Sequence, residues 1–401
     1  MQDRFYKYVI VGAGLAGASA AEGIREVDRQ SPILLIGEEP HLPYDRPPLS
    51  KKLWFGQKKV EEIFLHDQHF YDTNGITVEK GAKAVELNTV LKQLSDDKGA
   101  KYRYDKLLLA TGGEPRRLAI PGGNLEDVSY YRYLDDFHAI RAKAGDGKKA
   151  LIVGGGFIGS EMAAALNKNN LDVTMIFPDE YLVRRIFPEQ LGRALQNHYI
   201  GKGVKIIAGD IPTTIERRGS TFVTRTKNGE ELESDILIVG IGIRPAIELA
   251  QSAGLATGNG IVVNEYLQTS GPDIYAAGDA AEFPYEALGI RTRIEHWDNS
   301  LTQGKFAGRN MAGAKEAYTH MPYFFSDLFE FGYEAVGEIN SELTTYADWQ
   351  KENDTGVIYY MKDKKVRGVM MCNVWDKVEA ARALIRKGGS FESGSLKGAI
   401  G

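Results

Sequence analysis

Cysteine is nearly absent from this sequence, in which Cys372 is the single one among 401 residues. One cysteine cannot form an internal disulfide, and without a Cys-x-x-Cys pair the chain cannot carry out dithiol redox chemistry. Cys372 lies in the apolar run VMMCNV, which is typical of a buried structural thiol. The histidines and the cysteine do not have zinc-site spacing, so we expect no metal.

Long hydrophobic runs and a strong charge bias are also lacking. No stretch approaches the ~18 apolar residues that a membrane span needs, and Met1–Lys7 is charged and leads directly into YVIV without the apolar core of a signal peptide. We therefore expect a cytoplasmic protein with no membrane span. The 49 basic and 54 acidic residues give a net charge of −5, so we expect no nucleic-acid partner.

The sequence does contain a repeated unit: a strand, a glycine-rich turn, a helix of small residues and a second strand that ends in an acid. The first copy is Tyr8–Glu38 and the second is Ala150–Asp179. Each has the length of about 30 residues expected of a strand–helix–strand unit that binds a nucleotide. Two copies predict two bound dinucleotides.

In the first copy, Gly12, Gly14 and Gly17 form GAGLAG directly after the strand KYVIV. The first glycine permits a tight turn, the second lets a pyrophosphate approach the backbone, and the third lets helix and strand pack closely. Glu38 stands 21 residues beyond Gly17, at the end of the strand PILLI. We expect its carboxylate to accept hydrogen bonds from the adenosine ribose.

In the second copy, Gly154–Gly159 forms GGGFIG after the strand ALIV, and Asp179 follows 20 residues beyond Gly159. An acid at this position favours a ribose with a free 2′-hydroxyl and repels a 2′-phosphate, so the prediction is NADH. Arg184 and Arg185 follow closely and suit a phosphate. NADPH is therefore the alternative.

Two further segments identify the first dinucleotide. Leu109–Gly113 reads LATGG, and Ile274–Ala281 reads IYAAGDAA. We interpret the second segment as a strand that ends at Gly-Asp and is followed by a helix. Alone, Asp279 is equally well explained as a helix N-cap. Together with GAGLAG, these segments resemble the pyridine-nucleotide oxidoreductases that bind two dinucleotides, in which the first motif and Gly-Asp hold FAD.

The resemblance implies an α/β fold with two Rossmann-like dinucleotide-binding domains, for FAD and NADH, and a C-terminal α+β interface domain. Residues 1–118 and 250–317 would form the FAD domain, residues 119–249 the NAD(P)H domain, and residues 318–401 the third domain. Period-two strand patterns after Pro322 and an amphipathic pattern near Asp376–Lys387 agree with that third domain. The last dozen residues are predicted to form a loose tail.

A proline-rich segment indicates which branches of this family the sequence resembles. Pro47 and Pro48 fix the backbone ahead of Lys51, and the stretch PYDRPPLSKKLWF is similar to the apoptosis-inducing-factor branch and to the ferredoxin reductases of oxygenase systems. The resemblance implies that Lys51 lies beside the flavin and pairs with Glu161, whereas a solvated lysine after a rigid turn is the alternative. The segment has no cysteine, so electrons leave the flavin directly for an external acceptor.

The resemblance also implies further cofactor contacts. His296 is alternatively a helix cap or a core histidine, and Phe325 stands where the family usually has tryptophan, which keeps an aromatic face but loses the indole donor. The implied contacts are Arg46, Ala84, Ala110, Thr111, Gly112, Arg116, Gly154, Gly156, Phe157, Ile158, Gly159, Arg185, Gly242, Asp279, Glu295, His296 and Phe325.

The sequence thus predicts an NADH-dependent FAD oxidoreductase, similar to apoptosis-inducing factor, that passes a hydride from NADH to flavin and electrons to an external acceptor. Ferredoxin, rubredoxin, quinone, oxygen and monodehydroascorbate are the candidate acceptors. A second hypothesis is an NADH-sensing switch, in which a long-lived charge-transfer complex changes conformation or produces a redox-dependent dimer.

Overall fold

The computed structural model describes residues 4–400. Residues 1–3, at the start of the predicted FAD domain, and residue 401, at the end of the predicted third domain, lie outside the described residues. The chain divides into two compact units. Unit 1 comprises Met1–Asp45, Val60–Glu114 and Arg244–Pro322; unit 2 comprises Arg46–Lys59, Pro115–Ile243 and Tyr323–Gly401. The boundaries of the three predicted domains stay a prediction.

The α-helices within the described residues are α1 (Leu15–Val27), α2 (Gln68–Thr73), α3 (Leu134–Lys143), α4 (Phe157–Lys168), α5 (Glu189–Gly201), α6 (Glu248–Ser252), α7 (Trp297–Met311) and α8 (Val378–Lys387). Short 3-10 helices cover Pro47–Ser50, Val60–Glu62, Gly278–Ala280, Glu286–Leu288 and Ser393–Leu396.

The strands are β1 (Arg4–Val11), β2 (Ile33–Gly37), β3 (Ile76–Lys80), β4 (Ala84–Asn88), β5 (Gln93–Asp96), β6 (Lys101–Leu109), β7 (Gly113–Pro115), β8 (Lys149–Val153), β9 (Asp172–Phe177), β10 (Lys205–Ala208), β11 (Pro212–Arg218), β12 (Thr221–Thr226), β13 (Glu231–Ser234), β14 (Ile236–Val239), β15 (Ile243–Pro245), β16 (Ile261–Val262), β17 (Ile274–Ala276), β18 (Ala281–Tyr285), β19 (Ile290–Thr292), β20 (Tyr323–Leu328), β21 (Phe331–Gly337), β22 (Thr344–Lys351), β23 (Thr355–Lys362) and β24 (Lys365–Cys372).

Unit 1 is built on a seven-stranded sheet. Its order is β3-β2-β1-β6-β5-β4, and β17 pairs with β6. The strands β1, β2, β3, β6 and β17 are parallel, with Val9 opposite both Leu34 and Leu107. Strand β2 and the second half of β1 are apolar and buried on both faces, whereas β3 and the first half of β6 also contain exposed polar residues. The sheet aligns the carboxyl ends of β1, β6 and β17 at one edge, where the glycine-rich turn lies.

Helices α1 and α7 pack closely against each other in unit 1 through small residues. A Cβ added at Gly308 would lie 2.0 Å from the carbonyl oxygen of Ala20, and one at Gly304 would lie 2.3 Å from that of Ala16. Such short approaches are available only to glycine.

Unit 2 contains a parallel sheet with the order β10-β9-β8-β14, which carries α4 directly after β8. Its core includes Leu151, Ile176 and Leu237, each almost fully buried. A three-stranded antiparallel sheet, β11-β12-β13, and a five-stranded antiparallel sheet, β20-β21-β24-β23-β22, complete the unit. The second of these sheets, with α8, is the predicted α+β module.

Two details of the prediction are wrong. Gly-Asp opens only a 3-10 turn, Gly278–Ala280, and the chain then enters β18 rather than a helix, because its next residues pair with β16 and β19. The tail is not loose, since Leu396 and Ile400 are buried and the Gly398 amide donates to Asp348.

Among residues 4–400, no helix is both long and apolar enough to cross a membrane.

We predict that replacing Gly308 with alanine destabilises the protein. The added Cβ would overlap the Ala20 carbonyl, and overpacking of this kind costs about 1–3 kcal/mol. Thermal unfolding followed by circular dichroism should show a lower Tm. The matched control is Gly201→Ala at the end of α5, where an added Cβ meets no atom within 4 Å. Equal Tm values for Gly308→Ala and the unmodified protein would contradict the packing argument.

Candidate active site

The first glycine-rich turn of unit 1 is closed by backbone contacts. Gly12 has φ +111°, and a Cβ there would lie 2.0 Å from the carbonyl oxygen of Ala110. A Cβ at Gly17 would lie 2.0 Å from the carbonyl oxygen of Gly12. At Gly14 the same construction meets nothing within 4 Å. The turn is therefore tight toward β6 and open at Gly14.

The open side of this turn faces the start of α1, where Gly14 is the N-cap. It provides no side-chain cap, and the first turn of the helix has no acidic residue. The amide groups and the positive end of the helix dipole are thus left for an anion. Glu38 directly follows β2, is mostly exposed, and lies 3.3 Å from the Lys83 ammonium. These residues fit the pyrophosphate and ribose of a dinucleotide.

The Gly-Asp segment lies against the same helix. Gly278 has φ +75°, and a Cβ there would lie 2.9 Å from the Cβ of Ala16. The Asp279 carboxylate accepts from Ser300 Oγ at 3.1 Å, and its carbonyl accepts from Arg293 Nη1 at 2.9 Å. The helix-cap alternative for Asp279 loses its basis because no α-helix follows. Sequence reasoning missed Ser300 and Arg293, which only the fold brings to Asp279.

Four further candidates of unit 1 lie directly after β6 or at the start of β4. Ala110 donates its amide to Val11, and Thr111 donates its hydroxyl to the Ala246 carbonyl at 2.6 Å. Gly112, with φ +68°, accepts from the Ala246 amide. Ala84 begins β4, which is separated from β6 by β5.

Glu295 and His296 precede α7. Glu295 forms an ion pair with Arg293 at 2.6 Å, and His296 is the N-cap residue of the helix. Burial lowers the pKa of His296 to about 4, although the carboxylates of Asp279 and Asp298 act in the opposite direction. The imidazole is therefore neutral at pH 7, which suits contact with a ring rather than with a phosphate.

The second glycine-rich turn, in unit 2, repeats the construction of the first. Gly154 has φ +123°, and a Cβ there would lie 2.3 Å from the Gly240 carbonyl oxygen; one at Gly159 would lie 2.0 Å from the Gly154 carbonyl oxygen. Gly156, the N-cap of α4, again faces open space. Phe157 and Ile158 start the helix, and its first turn has no acid. This turn also fits a dinucleotide.

The acid and the arginines of the second copy flank that turn. Asp179 lies two residues beyond β9 and is half-buried, while Arg184 and Arg185 are exposed. The intervening loop returns to the glycine turn, because the Val183 amide donates to the Gly155 carbonyl at 2.8 Å. Gly242 accepts from the Arg116 amide at 2.9 Å, so these two candidates are adjacent.

Lys51 and Glu161 form an ion pair, as predicted. The Lys51 ammonium lies 3.1 Å from Glu161 Oε1, and both side chains are more than nine-tenths buried. Lys51 directly follows the 3-10 helix Pro47–Ser50, and its amide donates to the Pro48 carbonyl at 3.2 Å. The alternative of a solvated lysine is therefore wrong, because the rigid turn directs the side chain inward.

Two serine hydroxyls that sequence reasoning missed complete this cluster. Ser50 Oγ donates to Glu161 Oε2 at 2.5 Å, and Ser326 Oγ donates to Oε1 at 2.6 Å. The sequence motif indicates a role for Lys51, but nothing in it indicates that the neighbouring Ser50 contacts Glu161. Ser326 comes from β20, 165 residues from Glu161.

One aromatic ring, Phe325, contacts the Lys51 ammonium of this cluster, and other candidate residues of unit 2 make aromatic contacts of their own. The Phe325 ring is 37% exposed, and its centroid lies 4.7 Å from the Lys51 ammonium. Phe157, also 37% exposed, meets Phe324 edge-on at 5.8 Å. The Arg46 guanidinium lies 5.5 Å from the centroid of the Tyr133 ring. A buried cation beneath an exposed ring can polarise a planar ligand and leave an edge accessible.

Sulfur and metal ligands do not add to these sites. Cys372 is fully buried in β24, and burial raises the pKa of its thiol well above the usual range, with a smaller contribution from Asp354. A thiol held protonated in this way is a poor nucleophile. Across residues 4–400, no group of three or more His, Cys, Asp or Glu residues is arranged to hold a metal ion.

Comparison with known proteins agrees with this geometry. Residues 6–304 match the model of the family "Pyridine nucleotide-disulphide oxidoreductase". Residues 307–355 and 347–387 match the C-terminal domain model of mitochondrion-associated apoptosis-inducing factor. The two matches together span nearly all of the chain, which confirms the predicted α/β fold with an additional C-terminal domain.

Three relatives align with almost the whole of this chain. Mitochondrial apoptosis-inducing factor 1 of Dictyostelium discoideum is 34% identical over 96% of this chain and 79% of its own length. The ferredoxin–NAD(+) reductase component of the anthranilate 1,2-dioxygenase system of Burkholderia cepacia is 32% identical, covering 95% and 94%. The seedling monodehydroascorbate reductase of Cucumis sativus is 30% identical, covering 98% and 100%.

Two solved structures are similar throughout. The putidaredoxin reductase in a covalent complex with putidaredoxin has a TM-score of 0.90 at 30% identity, covering 98% of this chain and 95% of that one. A ferredoxin reductase from Rhodopseudomonas palustris has a TM-score of 0.91 at 27% identity, covering 98% and 97%. With two dinucleotide turns and one buried thiol, the chain belongs to the pyridine nucleotide-disulphide oxidoreductase family, as an FAD- and NADH-dependent enzyme without a redox-active disulfide.

Proposed function

We propose that this enzyme reduces a small one-electron carrier protein of the ferredoxin type with electrons from NADH. The observation that carries the proposal is the exposed Phe325 ring over the buried Lys51 ammonium, in a chain whose single cysteine is buried. Electrons that cannot pass through a disulfide need an exposed route from the flavin. Two similar proteins, from Burkholderia cepacia and Rhodopseudomonas palustris, are named as ferredoxin reductases.

The unit 1 turn and its acids would hold FAD, and the unit 2 turn would hold NADH. The phosphates would bind at the open positions Gly14 and Gly156, and Glu38 and Asp179 would accept from the two adenosine riboses. Asp279 would accept from the sugar chain of FAD. The other proposed cofactor contacts are those that the resemblance implies, and their roles stay predictions.

FAD, when bound, supplies the acceptor for a hydride from NADH, so the protein itself contributes orientation and electrostatics. Lys51 would place a positive charge at the flavin ring, and Glu161 would hold that ammonium in place. Phe157 would limit the position of the nicotinamide. Neutral His296 would contact the flavin ring without adding charge.

The proposed acceptor takes one electron at a time. One NADH provides two electrons and one proton as a hydride, so two carriers would be reduced, one NAD⁺ formed and one proton passed to solvent. Monodehydroascorbate also takes one electron, and the cucumber relative is named for that reduction. A panel of acceptors therefore decides between carrier and small molecule.

The match to the C-terminal model of apoptosis-inducing factor favours a second candidate, an NADH-sensing switch. In this case, adding NADH in air would give a persistent long-wavelength absorbance band and a changed elution volume in size-exclusion chromatography. Prompt return of the oxidised flavin spectrum would favour the reductase. Cytoplasmic location and a redox-dependent dimer stay predictions.

We predict that Lys51→Ala slows anaerobic flavin reduction by NADH by about 10-fold, which corresponds to ~1.4 kcal/mol of barrier. The reason is the loss of a buried positive charge held at 3.1 Å from Glu161. Stopped-flow absorbance at saturating NADH measures the rate. Lys52→Ala, which removes an exposed lysine at the next position, is the matched control. An unchanged rate in Lys51→Ala would remove Lys51 from the mechanism.

We predict that Asp179→Ser shifts preference toward NADPH, raising the ratio of kcat/KM for NADPH to that for NADH by about 10-fold. The substitution removes the carboxylate that repels a 2′-phosphate and leaves Arg184 and Arg185 exposed nearby. Steady-state kinetics with both cofactors measures the ratio. Asp172→Ser, at the other end of β9, should leave it unchanged, and a ratio unaffected by Asp179→Ser would refute the role of this acid.

We predict that a ferredoxin reoxidises the NADH-reduced enzyme about 100-fold faster than oxygen or a quinone at low salt. Because the whole chain has a net charge of −5, this rate requires a local basic surface that complements an acidic carrier and accelerates encounter. Added salt should slow the reaction. Double-mixing stopped flow with ferredoxin, monodehydroascorbate, quinone and oxygen measures the rates. A fastest reaction with monodehydroascorbate, independent of salt, would replace the carrier proposal with the small-molecule one.

A further inference from the structure

Ser50, Ser326 and Lys51 surround the carboxylate of Glu161 inside unit 2. Ser50 is 3% exposed and Ser326 is 1% exposed, so neither hydroxyl exchanges its bond to Glu161 for one to bulk water. The two hydroxyls reach different oxygens, at 2.5 Å to Oε2 and 2.6 Å to Oε1. Both carboxylate oxygens therefore have a neutral donor in addition to the lysine.

The three donors come from separate parts of the fold. Ser50 ends the 3-10 helix Pro47–Ser50, whose prolines restrict its backbone. Ser326 lies on the inward face of β20, opposite Tyr333 of β21. Glu161 lies in the second turn of α4. Because each backbone is held by regular structure, the donors fix one orientation of the carboxylate.

We infer that Ser50 and Ser326 are positioning residues that hold Glu161 and thereby direct the Lys51 ammonium toward the flavin. This inference rests on the proposed function, in which Lys51 acts on the flavin. Nothing in the sequence or in the resemblance assigned a role to either hydroxyl.

The number of donors supports the inference. An ammonium has three N–H donors. If Lys51 were the sole donor to the buried Glu161 carboxylate, both carboxylate oxygens would have to be satisfied by that one ammonium. With two hydroxyls already bound to Glu161, Lys51 contacts the carboxylate through Oε1 at 3.1 Å. Its other donors can then point toward the exposed side, where Phe325 lies.

A competing carboxylate makes this positioning necessary. Asp327 Oδ2 lies 3.9 Å from the Lys51 ammonium, and the Asp327 side chain is 56% exposed. An ammonium that loses its fixed partner would move toward Asp327 and solvent, where screening weakens its effect on a ring. The two serines therefore act on the flavin through Lys51, not by contact.

The test is a double-mutant cycle. Ser326→Ala and Ser50→Ala are each expected to slow flavin reduction at saturating NADH by about 3- to 10-fold, the worth of one ordinary hydrogen bond. The flavin midpoint potential should shift in the same direction as in Lys51→Ala, while the Kd for NADH stays unchanged. In a Lys51→Ala background, either serine substitution should have no further effect on rate or potential.

The controls separate positioning from packing. Ser160→Ala removes a fully buried hydroxyl that has no hydrogen-bond partner at the neighbouring position of α4, and it should change neither rate nor potential. Ser326→Thr and Ser50→Thr keep the hydroxyl, so the better tolerated of the two should restore the potential. FAD content and Tm identify variants that fail to fold, and the other serine then carries the test.

Two outcomes overturn the inference while leaving the proposed role of Lys51 intact: an unchanged potential in both serine variants, or a serine effect that is equally large in the Lys51→Ala background. If Lys51→Ala itself changes neither rate nor potential, the proposed role of Lys51 fails, and the inference fails with it.

Discussion

The absence of a Cβ at the two strand-to-helix turns is the constraint on which the rest of the structure depends. A Cβ at Gly12 would lie 2.0 Å from the carbonyl oxygen of Ala110, directly after β6. A Cβ at Gly154 would lie 2.3 Å from the carbonyl oxygen of Gly240, directly after β14. This contact brings the start of each helix to the edge of its sheet. The positions after the turn, Gly14 and Gly156, then face open space with unused amide donors. Each unit thus has an uncapped helix start, formed by backbone atoms alone, that fits a phosphate.

The polar cluster of unit 2 is built from charged groups and hydroxyls rather than from cysteines. The family name refers to disulfides, yet the single thiol of this chain is buried in β24 and held protonated. In its place the chain buries an ammonium and a carboxylate, and a buried pair is tolerable only if its remaining hydrogen-bonding capacity is satisfied. Ser50 and Ser326 provide that satisfaction. The cluster is thus a fixed electrostatic element, which suits direct electron transfer to and from a flavin.

Much of this arrangement could be predicted because it is local in sequence. The glycine spacing, the acids Glu38 and Asp179 and the parallel strands follow from patterns within about 30 residues. The Lys51–Glu161 pair spans 110 residues and came from family resemblance, and the structure confirms the contact. Hydroxyls such as Ser326 could not be predicted, because a serine in a strand carries no sign of which carboxylate the fold will bring to it.

The incorrect predictions have the same origin. Gly278 and Asp279 look like a helix start, but pairing of the following residues with two neighbouring strands overrides that local preference. The glycine- and serine-rich end of the chain looks unstructured, yet Leu396 and Ile400 each bury an apolar side chain. In both cases, non-local packing outweighs local propensity.

FAD is expected to be the sole acceptor of electrons from NADH in this enzyme. The decisive measurement is an anaerobic titration of the FAD-loaded protein with NADH, followed by absorbance. One equivalent of NADH per FAD should bleach the flavin completely, with no further uptake of electrons. Failure to bleach, or consumption of a second equivalent by another redox centre, would show that FAD is not the sole acceptor.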